Sequence, residues 1–549
     1  MDREKAGSDS AVSPWAPFRE NAFAVLWVAT VISNVGTWMN DVGSGWLMTT
    51  LVLDPFMVAL VQAATTAPIF LLALPAGAVA DIVDRRKLLI LVNGLMASTA
   101  AVLAGLVALD RMTAELLLLF TFLLGAGAAF IAPAWQAIVP QLVPREKLAA
   151  AIALNSMGVN VSRAIGPALA GALIVSLGVA APFALNALSF VAIVAALVWW
   201  RGEPPRASPL PQERIGEAML IGLRYAWNSA PLRDTLLRAA AFFVFASAYW
   251  ALLPVIARTL LQGDARLYGV LLGCVGIGAV LGALLLTKVK PHLGPDRTVA
   301  AGTLGTATTL CAFALVTNPY VAALASLLAG LSWIFVLSSL HVSAQTALPN
   351  WVRARGLSLF LTVFFGAMAA GSAFWGKIAT EFGIPVALLA AAGGALMAIP
   401  LTWRVRLNQG EALDLAPSMH WPAPVIASDG RPDRGPVMTT VEYRIAAEDT
   451  AAFLRLTAEL SAARRRNGAM QWGIMEDAAV PGHFTEVFFE ASWLAHLRHH
   501  ERVTVADRAL QDRIRALHRG DVLPTVRHFL ATDDESAVAS RVSPDPIAG

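Results

Sequence analysis

Two cysteines in 549 residues, Cys274 and Cys311, leave no disulfide framework and no cysteine-based metal set to build. Charge is scarce as well. Asp, Glu, Lys and Arg make up 14% of the chain, against roughly 25% in an ordinary soluble domain. The few charges nearly cancel to a formal +3, and the basic residues stand beside apolar segments. That placement speaks for membrane topology and against nucleic acid as a partner. Residues 1–20 lack a short apolar stretch followed by a small-residue cleavage site. No cleaved signal peptide is therefore expected, and the first helix itself directs insertion. A Gly-rich phosphate loop, a metal-ligand spacing and a complete nucleophile–base–acid set are also missing. The sequence thus gives no reason to expect an enzyme, a cofactor or a bound metal.

What the chain has is apolar length: 57% of it is hydrophobic, and its mean hydropathy is +0.61. A spanning helix needs about 20 mostly apolar residues. Such segments fall near 22–50, 57–79, 88–108, 114–135, 148–176 and 182–200, then near 237–259, 267–288, 298–316, 320–345, 357–380 and 384–403. The first is long for one span. Its Asn34, Gly36, Asn40, Asp41, Gly43 and Gly45 predict a tilt, kink or break. Lys and Arg gather on alternate connections, such as Arg85, Arg86 and Lys87, Arg145 and Lys147, Lys288 and Lys290, and Arg353 and Arg355. By the positive-inside rule both termini are cytoplasmic, which requires an even number of spans.

The expected fold is therefore an all-α polytopic membrane protein of about twelve helices in two pseudo-symmetric six-helix bundles, with a small cytoplasmic α+β domain. Residues 1–20 form a cytoplasmic lead, 21–200 the first bundle and 201–236 a linker with an amphipathic helix from Glu213 to Trp227. Residues 237–406 form the second bundle, 407–436 a mobile linker rich in Pro, Asp and Gly, 437–532 the α+β domain and 533–549 a tail end. The stretches 136–143 and 345–352 resemble each other at matching places in the two halves, which points to duplication. In the α+β part a strand–helix–strand–strand–helix–strand order suggests a ferredoxin-like module.

Several motifs carry candidate chemistry. After the second helix come Gly77, Asp81, Asp84, Arg85 and Arg86. Gly77 would let another helix approach closely, and Asp81 would set a carboxylate at the cytoplasmic surface. The bland alternative is a positive-inside loop with incidental acids. The fifth helix carries Asn155, Gly158, Ser162 and Gly166 on one face, with Arg163, Pro167 and Gly171. A facing surface could come from Gly269, Gly273 and Gly276 of the eighth, or these could be generic packing glycines.

With the two-bundle layout in place, the Gly77–Arg86 segment resembles the signature loop of the major facilitator superfamily, although Ile82 stands where an Arg is usual. The resemblance implies that this loop braces the cytoplasmic gate against the start of the eleventh helix, near Arg353 and Arg355. Gly166-Pro167 with Gly171 resembles the Gly-Pro motif of proton-coupled antiporters in that superfamily. Pro133, Trp135, Gln136, Asn155 and Arg163–Pro167, with Leu74–Gly77, look like the transmembrane secretion effector branch, which includes siderophore exporters. Over about 18–406 the resemblance implies a secondary transporter of the cytoplasmic membrane, exchanging protons for a small amphiphilic molecule. The end domain resembles antibiotic-biosynthesis-monooxygenase-like domains, which form paired barrels.

Ionisable groups at membrane depth cost roughly 2.5–3.5 kcal/mol each on insertion scales, so each needs a reason. Arg163 could bind an anionic group of a substrate or pair internally; the internal pair is preferred. Asp41 could carry a proton if it faces a cavity, or lie outside the hydrocarbon. His341 and Gln345, late in the tenth helix, are proton or substrate candidates, with packing the commoner role of a lone His. In the α+β part Trp472, His483, Trp493, His496, His499 and His500 would serve an enzyme. His499 and His500, however, are expected in a charged, solvated helix. Regulation or self-association is the preferred role of this domain, with a membrane-tethered enzyme or sensor, or an importer, as alternatives to export.

Overall fold

The computed structural model describes residues 13–201, 215–407, 414–421, 434–520 and 523–531. The side chains of Ala78, Asp81, Ile82 and residues 215–221 lie outside what is described, as do Glu213 and Arg214. Long helices dominate. The first half holds α1 (Asn21–Leu51), α2 (Pro55–Ile82), α3 (Arg85–Ala108), α4 (Ala114–Leu142), α5 (Leu148–Leu177) and α6 (Ala180–Trp199). A shorter α7 (Ile215–Asn228) leads to α8 (Ala230–Val255), which ends in a π-helical turn. Then come α9 (Ala265–Leu315), α10 (Pro319–Thr346), α11 (Arg353–Phe382) and α12 (Ile384–Leu401).

Eleven helices among the described residues are long and apolar enough to cross a membrane. One of them counts twice. At 1.5 Å per residue the 51 residues of α9 would reach about 76 Å, far beyond a hydrocarbon core of about 30 Å. The helix is in fact broken at Gly294, whose φ of 70° is left-handed, between Pro291 and Pro295. The break is tied down: Asp296 pairs with Arg238 of α8 at 2.8 Å and accepts from the Leu407 amide at 3.1 Å. Among the described residues the crossings therefore number twelve. By contrast, α1 runs unbroken through 34–45 for 31 residues. Its small residues serve contact instead: a Cβ on Gly43 would lie 3.0 Å from the Phe183 ring of α6, and one on Gly45 3.0 Å from the Tyr268 hydroxyl of α9.

Side-chain carboxylates and hydroxyls start many of these helices. Asp54, Asp84, Thr113 and Asp264 each accept from a backbone amide of the first turn, so donors that hydrocarbon could not satisfy are satisfied locally. Large apolar side chains such as Leu91, Leu95, Val102 and Leu188 point outward, the arrangement lipid favours and water does not.

The chain divides into two compact units. The first comprises Met1–Ile215, Asp234–Val342 and Ser358–Leu407; the second Gly216–Arg233, Ser343–Leu357 and Asn408–Gly549. In the second unit, β1 (Val437–Arg444), α13 (Thr450–Asn467), β2 (Gln471–Glu476), β3 (His483–Glu490), α14 (Trp493–Arg502), α15 (Val505–Arg515) and β4 (Thr525–Leu530) form a small α+β domain. Its four strands lie in the order β2-β3-β1-β4, every neighbouring pair antiparallel, which is the ferredoxin-like arrangement. Strand β3 alternates buried and half-buried side chains, the period-2 pattern of a strand covered on one face. Val441, Tyr443, Phe453, Leu460, Phe484 and Ile514 make the core. Each such side chain contributes roughly 1.5–3 kcal/mol by leaving water.

Two expectations about linkers need correction. Within 407–436 the described residues 414–421 are held rather than loose: Ser418 donates to the Val503 carbonyl at 2.9 Å, and Trp421 Nε1 to Gln511 at 3.0 Å. Helix α7 is likewise more than a connector. Its Tyr225 hydroxyl donates to the Ala347 carbonyl between α10 and α11, and the Arg466 guanidinium of α13 lies 5.9 Å from the Tyr225 ring. Aromatic area and buried carbonyls, which a Pro-rich composition hides, decide both cases.

Candidate functional site

A cavity of ≈ 260 Å³ lies between the two helical halves of the first unit. Trp38, Asp41 and Gly45 of α1 line one wall, with Gln62 and Thr65 of α2 and Arg163 of α5. The opposite wall is aromatic, with Trp250 of α8, Tyr268 of α9, Trp333 of α10 and Phe364 of α11. Trp250 and Trp333 meet edge to face at 5.3 Å, and Trp333 and Phe364 at 6.0 Å. Such pairs fix ring orientation beyond what burial alone does.

Helical spacing places the charged groups. Trp38 and Asp41 are one turn apart on α1 and share a face. Across from them the Arg163 guanidinium stands 5.6 Å from the Trp38 ring centroid. That close approach needs the glycine three residues on, since a Cβ on Gly166 would lie 2.5 Å from the Trp38 Cβ. The internal ion pair preferred for Arg163 does not form. Among the described residues no carboxylate pairs with it, and its Nε is buried without a hydrogen-bond partner. The ring face of Trp38 offsets part of that cost, by roughly 2 kcal/mol when desolvated.

The antiporter-like stretch is a packing surface with a charged edge. A Cβ on Gly269 would lie 2.5 Å from the Pro167 carbonyl oxygen, one on Gly171 2.6 Å from that of Ala265, and one on Gly276 2.8 Å from Ala164 Cα. Gly273 has ordinary room. Gly158 faces α1 instead, against Val31 and Trp27. So α5 wedges between α1 and α9, and Arg163 emerges from that wedge into the cavity.

The end of the bundle that holds the α1–α2 turn is closed across the halves. Thr380 of α11 donates to the Asp54 carboxylate, and Gly376 admits Phe56 and Ala59 of α2. Arg258 bridges from the π-turn to the Thr49 hydroxyl at 3.1 Å and to the Trp46 ring at 5.5 Å.

The expected gating residues are only partly explained. A Cβ on Gly77 would meet nothing within 4 Å, so that glycine makes no close helix approach in this conformation. The Asp81 side chain lies outside the described residues. Asp84 caps α3, accepting from the Arg86 and Lys87 amides. Arg85 donates to the Ala80 carbonyl, and Arg86 to the Leu197 and Val198 carbonyls at 2.8 and 2.9 Å, a cation on the negative end of α6. His341 packs edge to face on Phe360 at 5.7 Å and Gln345 is exposed; neither lines the cavity. Sequence reasoning missed the aromatic wall, because Trp and Phe in apolar helices read as packing.

This architecture has relatives. The model of the family described as transmembrane secretion effector matches residues 12–536. The chain belongs to that family. The enterobactin exporter EntS of Escherichia coli is 27% identical over 416 residues, 74% of this chain and 96% of that protein. The staphyloferrin A transporter of Staphylococcus aureus is 24% identical over 263 residues, 47% of this chain, and the match spans 65% of that relative. Among solved structures, a bacterial homologue of the human lysosomal transporter Spinster, inward-facing and occupied, superposes with a TM-score of 0.57 at 15% identity. It covers 71% of this chain and 97% of the homologue. The nucleoside transporter NupG superposes at 0.53 with 13% identity, covering 70% and 99%. The fold is that of major facilitator transporters, and the protein is a multi-pass membrane transporter rather than an enzyme.

The α+β domain also departs from expectation. His499 is fully buried and His500 half-buried, so the helix carrying them is not solvated on that face. They are drawn in by Glu490, which is itself fully buried and accepts at 2.5 Å from His496 Nδ1 and at 2.6 Å from His499 Nδ1. Burial alone would raise the Glu490 carboxyl; the two imidazoles override it and hold it well below the carboxylate range. Trp472 donates to Glu486, which also binds Arg464 at 2.9 Å. His483 is half-buried at the start of β3.

Proposed function

We propose that the transporter exports a small anionic, siderophore-like molecule by alternating access, with Arg163 as its anchor and Asp41 as the proton carrier. The observation that carries this reading is the Arg163 guanidinium, set over Trp38 in a cavity shared with Asp41 and without a carboxylate partner among the described residues. An oxygen-rich anion would satisfy the cation, and the aromatic wall would take the flat or apolar part of the cargo. The names of the enterobactin and staphyloferrin A relatives support an iron-chelating cargo. At ≈ 260 Å³ the cavity is below the roughly 300–1,000 Å³ of drug-sized sites, so a larger cargo requires the halves to part further.

With the termini cytoplasmic, the closed α1–α2 end faces outward and the conformation is inward-facing. When the halves open to the outside, Asp41 takes up a proton as the cargo leaves and gives it up on the cytoplasmic side, which resets the cycle. Everted vesicles test the scheme with a catecholate siderophore as the probe. Uptake that survives collapse of the proton gradient would overturn the coupling. Arg163→Gln should lose cargo binding at least tenfold, and Asp41→Asn should bind cargo but no longer respond to the gradient. Wild-type transport by Arg163→Gln would overturn the anchor.

A further inference from the structure

The α+β domain brings together three imidazoles, two from one helix and one from a separate strand. His496 and His500 stand four residues apart on α14, hence on one helix face, and His528 comes from β4, where it pairs in register with Thr439. One ring nitrogen from each lies within 4.8 Å of the others. The two Nε2 atoms of His496 and His500 are 3.1 Å apart, and the His496 and His528 rings 4.7 Å. Ligands at about 2.05 Å around a tetrahedral ion stand about 3.3 Å apart, close to the shorter of these separations.

Orientation makes the cluster more than a coincidence of side chains. Glu490 binds the Nδ1 of His496, which turns the Nε2 of that ring toward His500. A buried carboxylate behind an imidazole is the arrangement that fixes a metal-binding tautomer and strengthens its donor atom. The Nδ1 of His499 binds the other oxygen of the same carboxylate, so Glu490 is gripped from two sides and cannot swing into the cluster. Trp493 closes the back of the His496 ring at 5.1 Å, while His528 is exposed and gives access from solvent.

We propose that His496, His500 and His528 form a binding site for a divalent transition-metal ion of the zinc class, with Glu490 as the positioning residue behind His496. An all-imidazole set suits zinc, copper and nickel and disfavours magnesium and calcium. Three protein ligands leave a fourth position for water.

The test uses tag-free, full-length protein in detergent, stripped with a chelator and titrated with Co²⁺, then Zn²⁺. The expected result is one Co²⁺ per chain with the visible absorption of a tetrahedral site, displaced by Zn²⁺. His500→Gln and His528→Gln should each weaken binding at least tenfold, and Glu490→Gln by roughly 10–100-fold. His292→Gln, in the helical unit, should bind as wild type. Because His528 is exposed, His528→Gln is expected to keep the wild-type melting temperature, so its loss of binding cannot be laid to unfolding. Sub-stoichiometric binding, or wild-type affinity in both His500→Gln and His528→Gln, overturns the site.

Discussion

The Arg502 guanidinium at the end of α14 lies 4.4 Å from the ring centroid of Trp351, in the connection between α10 and α11. Trp351 also meets Tyr225 of α7 edge to face at 5.8 Å, and Arg224 of α7 donates to the Gly468 carbonyl after α13. The α+β domain is thus tied to a connection that links two transport helices. A cation over an indole is worth about 1 kcal/mol, a factor of about five in an opening equilibrium. Trp351→Ala should therefore raise amide exchange in 343–357 about fivefold. Unchanged exchange would mean that the stacking holds nothing in place.

The α5–α9 contact depends on backbone approaching backbone. Gly269→Val would drive two methyl groups into the Pro167 carbonyl, with no flexible side chain to yield. Overpacking of this kind costs typically 1–3 kcal/mol. The variant should melt lower or fail to accumulate in the membrane, whereas Gly273→Ala, with ordinary room, should behave as wild type. Equal melting of the two would refute the assignment of Gly269 to a tight contact.

How much of this was legible in advance follows the physics. Twelve crossings could be read because hydrocarbon demands long apolar runs, and Pro291, Gly294 and Pro295 mark where one continuous helix must break. The ferredoxin-like order could be read because strand and helix periods differ. The Gly269 and Gly276 contacts were within reach, since small residues in a membrane helix predict close approach. Arg163 was found, but its lack of a carboxylate partner among the described residues was not, because pairing is decided by residues far away in sequence. His499 and His500 were misjudged for a related reason. Local composition around them is charged, and only the fold shows that Glu490, six and nine residues before His496 and His499, is buried beneath the helix.

Acid should loosen the α+β domain, by a sign that follows from its histidines. A His lowered from 6.5 to about 3 in the folded chain binds its proton more readily when unfolded. The stability His500 contributes is therefore complete above about pH 6.5 and is lost as pH falls toward 3. Glu490, lowered from 4.5, adds a second loss below that value. In chelated buffer the melting of this domain should fall between pH 7 and 5. His500→Gln should show a shallower fall, since His528 and His420 are also lowered and remain. A profile as steep as wild type would remove His500 from the account.

The fully buried pair Arg464–Glu486 sets the last test. Glu486 accepts from Arg464 Nε at 2.9 Å, from Trp472 at 2.9 Å and from Tyr443 at 3.3 Å. Burial alone would raise its carboxyl, and the guanidinium overrides this and keeps it below the usual range. The Arg464 cation is itself stacked 4.7 Å from the Phe488 ring. Removing one partner leaves an uncompensated buried charge, at about 3–5 kcal/mol, whereas neutralising both leaves no buried charge and costs less. Arg464→Met should destabilise the α+β domain by that amount in urea titration, and Arg464→Met with Glu486→Gln should recover part of the loss. A double variant no more stable than the single one would show that shape, and not charge, holds this core.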